Sequence, residues 1–420
     1  MVYKAPRGTQ DILPEEYPYW RHVTDRIHHV CQLHGWEQFD VPLFEETALF
    51  TRGIGEATDI VEKEMYSFKD RGGTELTLRP EFTAGVVRAY LENGLHTRPQ
   101  PVKLYSIGPI FRYERPQAGR YRQSTQWNVE AIGEQDAALD VETMGVAWYL
   151  YEDLGFRGLS FQINSIGCPV CRPTYSRVLV EYYRRHEKRL CDDCKRRLYT
   201  NPMRLLDCKN EGCQPIIEDA PHSADYLCDE CRAHYAELRR YLDLLKRPYT
   251  ENHRLVRGLD YYTKTVFEVW AEGIGAQGAL CGGGRYDGLA EAIGGPHTPG
   301  VGFAAGVERI ILLLKAQRIA PPPLPKPLVW VAYTGKETKD AALMLLTDLR
   351  RNGIGAVLTF GDRSLKAQLK TADKAGVAYT VILGEGEIAR GEVIVRHMAA
   401  GEQVTMSLSE IPKWLKARAQ

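Results

Sequence analysis

The chain has 420 residues, 44% of them hydrophobic, and its 54 basic side chains balance 54 acidic ones. That length accommodates two or three domains with a substantial core, and zero net charge excludes a protein that binds nucleic acid by bulk positive charge. The N-terminus, MVYKAPRGTQDILPEE, has no apolar core, and no apolar run approaches the roughly 18 residues of a membrane helix, so a soluble cytoplasmic protein without signal peptide is expected.

Tyr19, Val23, Ile27 and Val30 recur at helical spacing and predict a helix from about Glu16 to Leu33, ended by Gly35. Residues 36–44, WEQFDVPLF, read as a strand, and Pro42 within it indicates an edge or interface position. Gly53, Gly55, Gly72 and Gly73 punctuate the polar stretch that follows. TELTL then reads as a strand feeding a helix, with Pro80 near the first turn and Gly94 just past the end. Glu81 and Thr83 stand at the helix start. The helix dipole alone accounts for a carboxylate there; the functional reading makes Glu81 the receptor of a substrate ammonium.

The segment from Ile107 to Gly133, IGPIFRYERPQAGRYRQSTQWNVEAIG, reads as two strands joined by a basic loop. Period two places Arg112 and Glu114 on one face of the first strand. On the second it places Gln126, Asn128 and Glu130 opposite Trp127, Val129 and Ala131. The loop from Arg115 to Arg122 adds Arg120. Closed with its polar faces together, this hairpin suits a zwitterion and a phosphate at once, because a guanidinium grips phosphate in bidentate fashion. A solvated face of surface ion pairs is the bland alternative. One helix is expected over 137–154.

Residues 168–250 differ in composition. They hold 16 basic against 13 acidic residues and eight of the ten cysteines, paired as Cys168 with Cys171, Cys191 with Cys194, Cys208 with Cys213, and Cys228 with Cys231. In a chain without a secretory signal, such knuckles favour structural zinc over disulfides, and eight thiolates fill two four-cysteine sites. The spacings fit no single ribbon pattern, so unmatched free cysteines are the alternative and the pairing of ligands stays open. Residues 182–204, with eight basic and three acidic side chains, read either as an RNA-facing helix or as an exposed one.

Core character returns at 251–318. RGLDYYTKTVFE (257–268) is β-rich, with an arginine and paired tyrosines at its head. Gly273 to Gly278 formally matches GxGxxG, but more glycines follow (Gly282, Gly283, Gly284) where a dinucleotide fold needs a helix, so that reading is rejected. Glycines this dense mean close backbone approach. GVGFAAGVER then runs into an apolar helix and places Arg309 where a phosphate is well received. Five prolines in 319–327 form a stiff linker. Beyond it, alternating strands and helices, with 14 basic against 10 acidic residues over 326–420, indicate a compact α/β domain.

Taken together, these residues resemble the bacterial histidyl-tRNA synthetases of the class II aminoacyl-tRNA synthetases, over nearly the whole chain. The region ending at Pro42 resembles motif 1, FRYERPQAGRYRQ through Glu130 resembles motif 2, and GFAAGVERI resembles motif 3. RGLDYYTKTVFE resembles the histidine-specific signature. The resemblance implies an α+β fold, with a six-stranded antiparallel sheet flanked by helices in a catalytic domain (1–325). A Cys-rich insertion (168–250) interrupts that domain, and an anticodon-binding domain (326–420) follows. It also implies a homodimer without membrane association.

The implied reaction consumes L-histidine and ATP, with Mg2+, and transfers histidyl to tRNA-His through an adenylate. By carry-over, Arg112 and Arg257 hold the α-phosphate as catalytic residues, and Arg309 and Arg120 reach the triphosphate. Glu114 belongs to the ATP site. Glu81, Thr83 and Gln126 surround the ammonium and carboxylate of the amino acid. Glu130 and Tyr262 read the imidazole, with Tyr261 beside them and Tyr286 lining the pocket.

Three positions depart from the family. Phe82 stands where glycine is usual. Ser124 and Thr125 replace the usual phenylalanine and histidine, which implies that adenine is held mainly from the Arg309 side. Three rivals remain in view: a synthetase-like regulatory subunit of ATP phosphoribosyltransferase, which lacks the anticodon domain and an intact histidine signature; a catalytically silent RNA-binding protein; and a class II synthetase for another amino acid.

Overall fold

The computed structural model describes residues 3–56, 58–117, 119–273, 279–361 and 363–418; the glycine segment 274–278 lies outside them. The chain divides into two compact units, Met1–Pro322 and Pro323–Gln420. Among the described residues no helix is long and apolar enough to cross a membrane.

The first unit contains, in chain order, β1 (Glu37–Gln38), β2 (Phe44–Glu46), β3 (Tyr66–Lys69), β4 (Glu75–Leu78), β5 (Val102–Phe111), β6 (Gln123–Ile132), β7 (Ser160–Ser165), β8 (Tyr249–Glu251), β9 (Thr263–Trp270), β10 (Ala279–Arg285) and β11 (Gly300–Gly306). Its main sheet has eight strands in the order β1-β5-β6-β11-β10-β9-β7-β8, not the six expected. The six from β5 to β7 are mutually antiparallel, and β1 and β8 pair in parallel at the two edges. Edge strands of two and three residues are too short to leave a periodic signal.

β2, β4 and β3 form a separate antiparallel sheet. The strand expected over 36–44 is therefore split. Phe39 N–H still reaches the Tyr105 carbonyl, but Pro42 has no N–H to give, and the Leu43 carbonyl accepts from Arg79 N–H instead.

Helices Tyr17–Leu33, Ala137–Asp153, Asp229–Leu244 and Val307–Ala316 contribute to one large core with the main sheet. Val23, Ile27 and Val30 are buried on the first of these, as their spacing requires. Asp136 caps the second by accepting from Ala138 N–H at 2.8 Å. Trp127, Val129 and Ala131 of β6 point into this core, so Gln126, Asn128 and Glu130 are presented on the opposite face.

Between β7 and β8 the insertion forms helices Arg172–Arg185, Asp192–Thr200, Gln214–Glu218 and Asp229–Leu244 within the first unit. The single basic helix suggested for 182–204 is broken by a 3-10 turn at Glu187–Arg189 and by extended backbone at Cys191. Deeper in the unit, fully buried Arg285 lies 2.7 Å from Asp140 and 3.1 Å from Asp287. His234 meets Asp140 at 2.8 Å and Lys264 meets Asp287 at 3.5 Å. These pairs join β9, β10 and two helices.

The second unit has β12 (Val329–Tyr333), β13 (Ala356–Leu358), β14 (Tyr379–Leu383), β15 (Glu392–His397) and β16 (Gln403–Ser407), in the order β13-β12-β14-β15-β16. The first three are parallel and the last two antiparallel. Leu345, Leu349 and Leu415 from flanking helices pack on Val331, Val381 and Val395. The alternation matches the expected order, with one addition, the short helix Glu385–Ala389.

Arg285→Met should destabilise the first unit by about 3–5 kcal/mol, because it leaves Asp140 and Asp287 buried without their cation. The expected readout is a lower urea midpoint with an unchanged slope.

Candidate active site

The polar face of the main sheet is carved out by glycines. A Cβ at Gly302 of β11 would overlap the Glu130 carboxylate, and one at Gly300 would overlap the Tyr286 ring. A Cβ at Gly282 of β10 would overlap the Arg257 guanidinium, which lies across that strand. The close backbone approach expected from the dense glycines after the GxGxxG match has a local cause here: the side chains of Arg257, Tyr286 and Glu130 rest directly on backbone.

At one end of this floor two carboxyl groups are buried. Glu81 accepts from Thr83 N–H at 2.6 Å and Ala84 N–H at 2.9 Å, so it does cap the helix Thr83–Glu92. It also lies 3.5 Å from the Tyr261 hydroxyl, and burial raises its pKa against those N–H donors and Arg112. Glu130 accepts from the Thr83 hydroxyl at 2.5 Å and Asn128 Nδ2 at 3.0 Å. Burial pushes its carboxyl up to about 7, although Thr83, Tyr286 and Asn128 draw it down. The rings of Tyr261 and Tyr262 are 4.7 Å apart, and Tyr261 meets Tyr286 edge-on at 6.0 Å. Burial raises the pKa of all three phenols, which keeps them protonated donors. The Gln126 side-chain oxygen is buried with no partner among the described residues.

The arginines continue from there as a chain of neighbours. Glu81 senses Arg112, whose Nη1 is 3.8 Å from Glu114, and Glu114 is 4.0 Å from Arg120. Arg309 feels Arg120 as a like charge, which adds to burial in lowering its pKa, and it also senses Glu268. Glu268 pairs with Arg257 at 2.9 Å, and Arg257 lies 5.8 Å from the Tyr262 ring. Tyr262 in turn senses Glu130. The predicted site residues therefore close a circuit, with Arg120 and Arg309 facing each other. Glu114 acts on both Arg120 and Arg309, and the guanidiniums clustered around it are chemistry for an anion.

Some details differ from the sequence expectation. Arg112 and Glu114 lie past the end of β5, because Tyr113 N–H bonds to the Glu64 carbonyl at 2.7 Å and leaves the ladder. Arg257, Tyr261 and Tyr262 precede β9 and stand on a loop. Phe82 is fully buried with Arg79 stacked on its ring at 3.9 Å, away from Glu130. Sequence reasoning gave no role to four residues. Arg79 donates to the carbonyls of Pro109 at 2.8 Å and Val41 at 2.7 Å. Glu308 accepts from Thr125 N–H at 2.8 Å and keeps its other oxygen buried without a partner among the described residues. Glu268 and Asn128 lay in quoted segments, and the period-two phase shared with Glu130 was the available signal for Asn128.

The eight predicted cysteines gather into two groups. Cys168, Cys171, Cys228 and Cys231 form one, and Cys191, Cys194, Cys208 and Cys213 the other, each with all sulfurs within 4.8 Å. All eight are free thiols. The pairing is nested, the second group lying within the loop closed by the first.

Raised from 4.5 to about 7, Glu130 holds a proton in the folded state that the unfolded chain has lost. Its contribution therefore makes stability fall as pH rises from about 4.5 to about 7, and is constant above. Glu130→Gln should flatten that segment and stabilise the protein at pH 8 by about 3 kcal/mol, as measured by chemical denaturation at pH 5 and pH 8.

A family model described as histidyl-tRNA synthetase matches residues 8–169 and 198–310, leaving 170–197 unmatched, and one described as anticodon binding domain matches 328–418. The histidine–tRNA ligase of Dehalococcoides mccartyi (strain ATCC BAA-2266 / KCTC 15142 / 195) is 53% identical over 410 residues, 98% of each chain. That of Pelotomaculum thermopropionicum is 51% identical over 418 residues, covering 100% of this chain and 98% of the relative. The crystal structure of apo S. aureus histidyl-tRNA synthetase superposes with a TM-score of 0.83 at 37% identity, over 98% of this chain and 99% of that one. An ATP phosphoribosyltransferase regulatory subunit/histidyl-tRNA synthetase from Bacillus halodurans C shares the fold at 22% identity and a TM-score of 0.63, over 91% and 98%. The glycine floor, the buried carboxyls and the arginine circuit thus stand in a chain that belongs to the histidyl-tRNA synthetase family.

Proposed function

We propose that the protein is a histidine–tRNA ligase acting as a cytoplasmic homodimer. The observation that carries this reading is the closed circuit from Glu81 and Glu130 through Arg112, Arg120, Arg309 and Arg257. It sets a receptor for an amino acid against a receptor for a triphosphate on one sheet face.

A histidine carboxylate oxygen attacks the α-phosphorus of ATP, the bond to the β-phosphate oxygen breaks, and pyrophosphate leaves. The terminal ribose hydroxyl of tRNA-His then attacks the carbonyl of the adenylate and releases AMP. Arg112 and Arg257 neutralise the α-phosphate as charge develops, while Arg120 and Arg309 hold the triphosphate tail. Glu81 and Gln126 bind the ammonium and carboxylate, with Thr83 fixing both carboxyl groups. Glu130 and Tyr262 read the two imidazole nitrogens, one a donor and one an acceptor, so an apolar analogue leaves buried groups unpaired. Glu114 and Glu268 are oxygen donors within the arginine circuit and fit Mg2+ arriving with the nucleotide. When bound, that ion supplies further neutralisation of phosphate charge.

The flanking parts take complementary roles. Leu43, Phe44 and Phe68 are exposed beside the small β2-β4-β3 sheet, with the two phenylalanines edge-to-face at 6.5 Å, and this supports an apolar dimer contact. The insertion 168–250, with its basic surplus, clasps the tRNA acceptor arm, and residues 326–420 bind the anticodon. There Phe360 is exposed two residues past β13, a platform for an unpaired base. The two cysteine groups are structural zinc sites. A tetrahedral zinc with bonds of about 2.3 Å sets its sulfurs about 3.8 Å apart, and the closest thiols here are 3.7 and 3.8 Å apart.

Histidine-dependent pyrophosphate–ATP exchange tests the whole reading. Arg257→Ala should lower the rate about 10²- to 10³-fold. Gly282→Ala should approach that loss with Arg257 still present, because the added methyl displaces its guanidinium. No exchange with any amino acid would leave a binding or regulatory protein, and exchange with another amino acid would reassign the specificity. Ser124→Phe should lower the ATP KM without changing that for histidine; an unchanged ATP KM removes the idea that the missing ring matters.

A further inference from the structure

Both knuckles of the first cysteine group abut the loop that carries the histidine-reading tyrosines. Arg172, next to Cys171, donates to the Tyr262 carbonyl at 2.6 Å and to the Gly167 carbonyl at 3.2 Å. The Gly167 carbonyl, one residue before Cys168, also accepts from the Thr263 hydroxyl at 3.0 Å and from Lys264 N–H at 2.9 Å. Ile166 N–H returns a bond to the Lys264 carbonyl at 2.9 Å. From the other knuckle, Glu230 stands between Cys228 and Cys231 and accepts from Lys264 Nζ at 2.8 Å.

Lys264 needs that support. Its side chain is nearly buried, and its backbone sits at a φ of +49°, a conformation that L residues rarely adopt. Tyr261 to Lys264 also border a cavity of about 520 Å³ that Cys168, Arg172 and Glu230 line as well. Tyr261 and Tyr262 pack into the core and Thr263 begins β9, while on the cavity side the segment is held by the polar contacts from the two knuckles. Those contacts converge only while the two knuckles, sixty residues apart in sequence, are held together. The thiols that meet between them are Cys168 with Cys228 at 3.7 Å and Cys171 with Cys231 at 3.8 Å.

We infer that Cys168, Cys171, Cys228 and Cys231 form a zinc centre that positions the Tyr261–Lys264 loop, so that metal binding here and histidine binding are thermodynamically coupled. Arg172 and Glu230 are the positioning residues that transmit the coupling. It rests on the reading of Tyr261 and Tyr262 as histidine-binding residues, and it goes beyond that reading in giving the loop a second ligand. By reciprocity, histidine must hold this zinc more tightly, to the same factor by which the zinc tightens histidine. The second group, Cys191, Cys194, Cys208 and Cys213, supplies none of these bonds to Tyr262, Thr263 and Lys264; its segment reaches only the neighbouring Asp260, through Asn201 at 3.0 Å, so its coupling to histidine is the weaker one.

The test uses the full-length protein as purified. Elemental analysis should find two zinc ions per chain, with all eight thiols unreactive until the metal is removed. Release of zinc to a chromogenic chelator should be biphasic, and L-histidine should slow one of the two phases. D-histidine, which chelates free zinc equally well, should not. Glu230→Gln leaves all four thiols in place. It should keep two zinc ions, raise the histidine KM about tenfold with the ATP KM unchanged, and abolish the protection by L-histidine. Fewer than two metal ions, disulfides in the first group, or zinc release indifferent to L-histidine in a preparation that exchanges pyrophosphate with histidine would overturn the inference. An unchanged histidine KM in Glu230→Gln would overturn it too. If the active amino acid is not histidine, protection follows that amino acid instead, which separates an error of substrate from an error of coupling.

Discussion

Glu130 is a carboxyl group buried against neutral partners, and the architecture of the site follows from what that costs. Its oxygen meets the Thr83 hydroxyl and the Asn128 amide, and burial, the largest influence, lifts its pKa to about 7 against those hydrogen bonds. Burying an ionisable group without a cation is unfavourable by several kcal/mol unless it stays partly protonated or a ligand supplies the missing partner. The other Glu130 oxygen is left buried without a partner among the described residues. The fold supplies the rest of the enclosure at low mobility: Thr83 is fixed by the Glu81-capped helix, Asn128 by the period of β6, and Tyr286 by the bend after β10.

The arginines obey the same logic with the opposite sign. Arg120 and Arg309 act on each other as like charges, partly offset by Glu114 and Glu268, and a bound anion would relieve the rest. Arg257 is anchored to Glu268, which fixes its direction while leaving its Nε buried without a partner among the described residues. A receptor for negative charge and one for a polar ring, both incomplete, sit at opposite ends of one sheet face. The cost of holding them is spread over the large core packed behind β6 and β11, where Trp127, Phe303 and Phe267 stack edge-to-face.

The sequence is most legible where punctuation is strong. The helices Tyr17–Leu33 and Ala137–Asp153 and the alternating second unit show their periods and stops openly. It is less so where tertiary bonds override local pattern. Arg112 and Glu114 look like strand residues until Glu64 takes the Tyr113 N–H. Strand β1 is two residues long and exists only because β5 is there to pair with it. The site residues came mainly from resemblance, since period two could phase Gln126, Asn128 and Glu130 but could not say that Arg257, a hundred and thirty residues on, lies across Gly282. The cysteine pairing was illegible for a topological reason: four knuckles can form two sites in three ways, and only the return of the helix Asp229–Leu244 beside β7 selects the nested one. Arg79, buried and hydrogen-bonded only to carbonyls, gave no signal, because its acceptors are backbone groups brought in from Val41 and Pro109.

The glycines of β10 and β11 carry a different kind of information. Gly282, Gly300 and Gly302 perform no chemistry, yet they are the space that Arg257, Tyr286 and Glu130 occupy. The site is therefore written twice, once in the residues that act and once in those that stand aside. An evolutionary drift that kept every arginine, tyrosine and carboxylate but let one methyl group into this floor would silence the protein while leaving its chemical inventory intact.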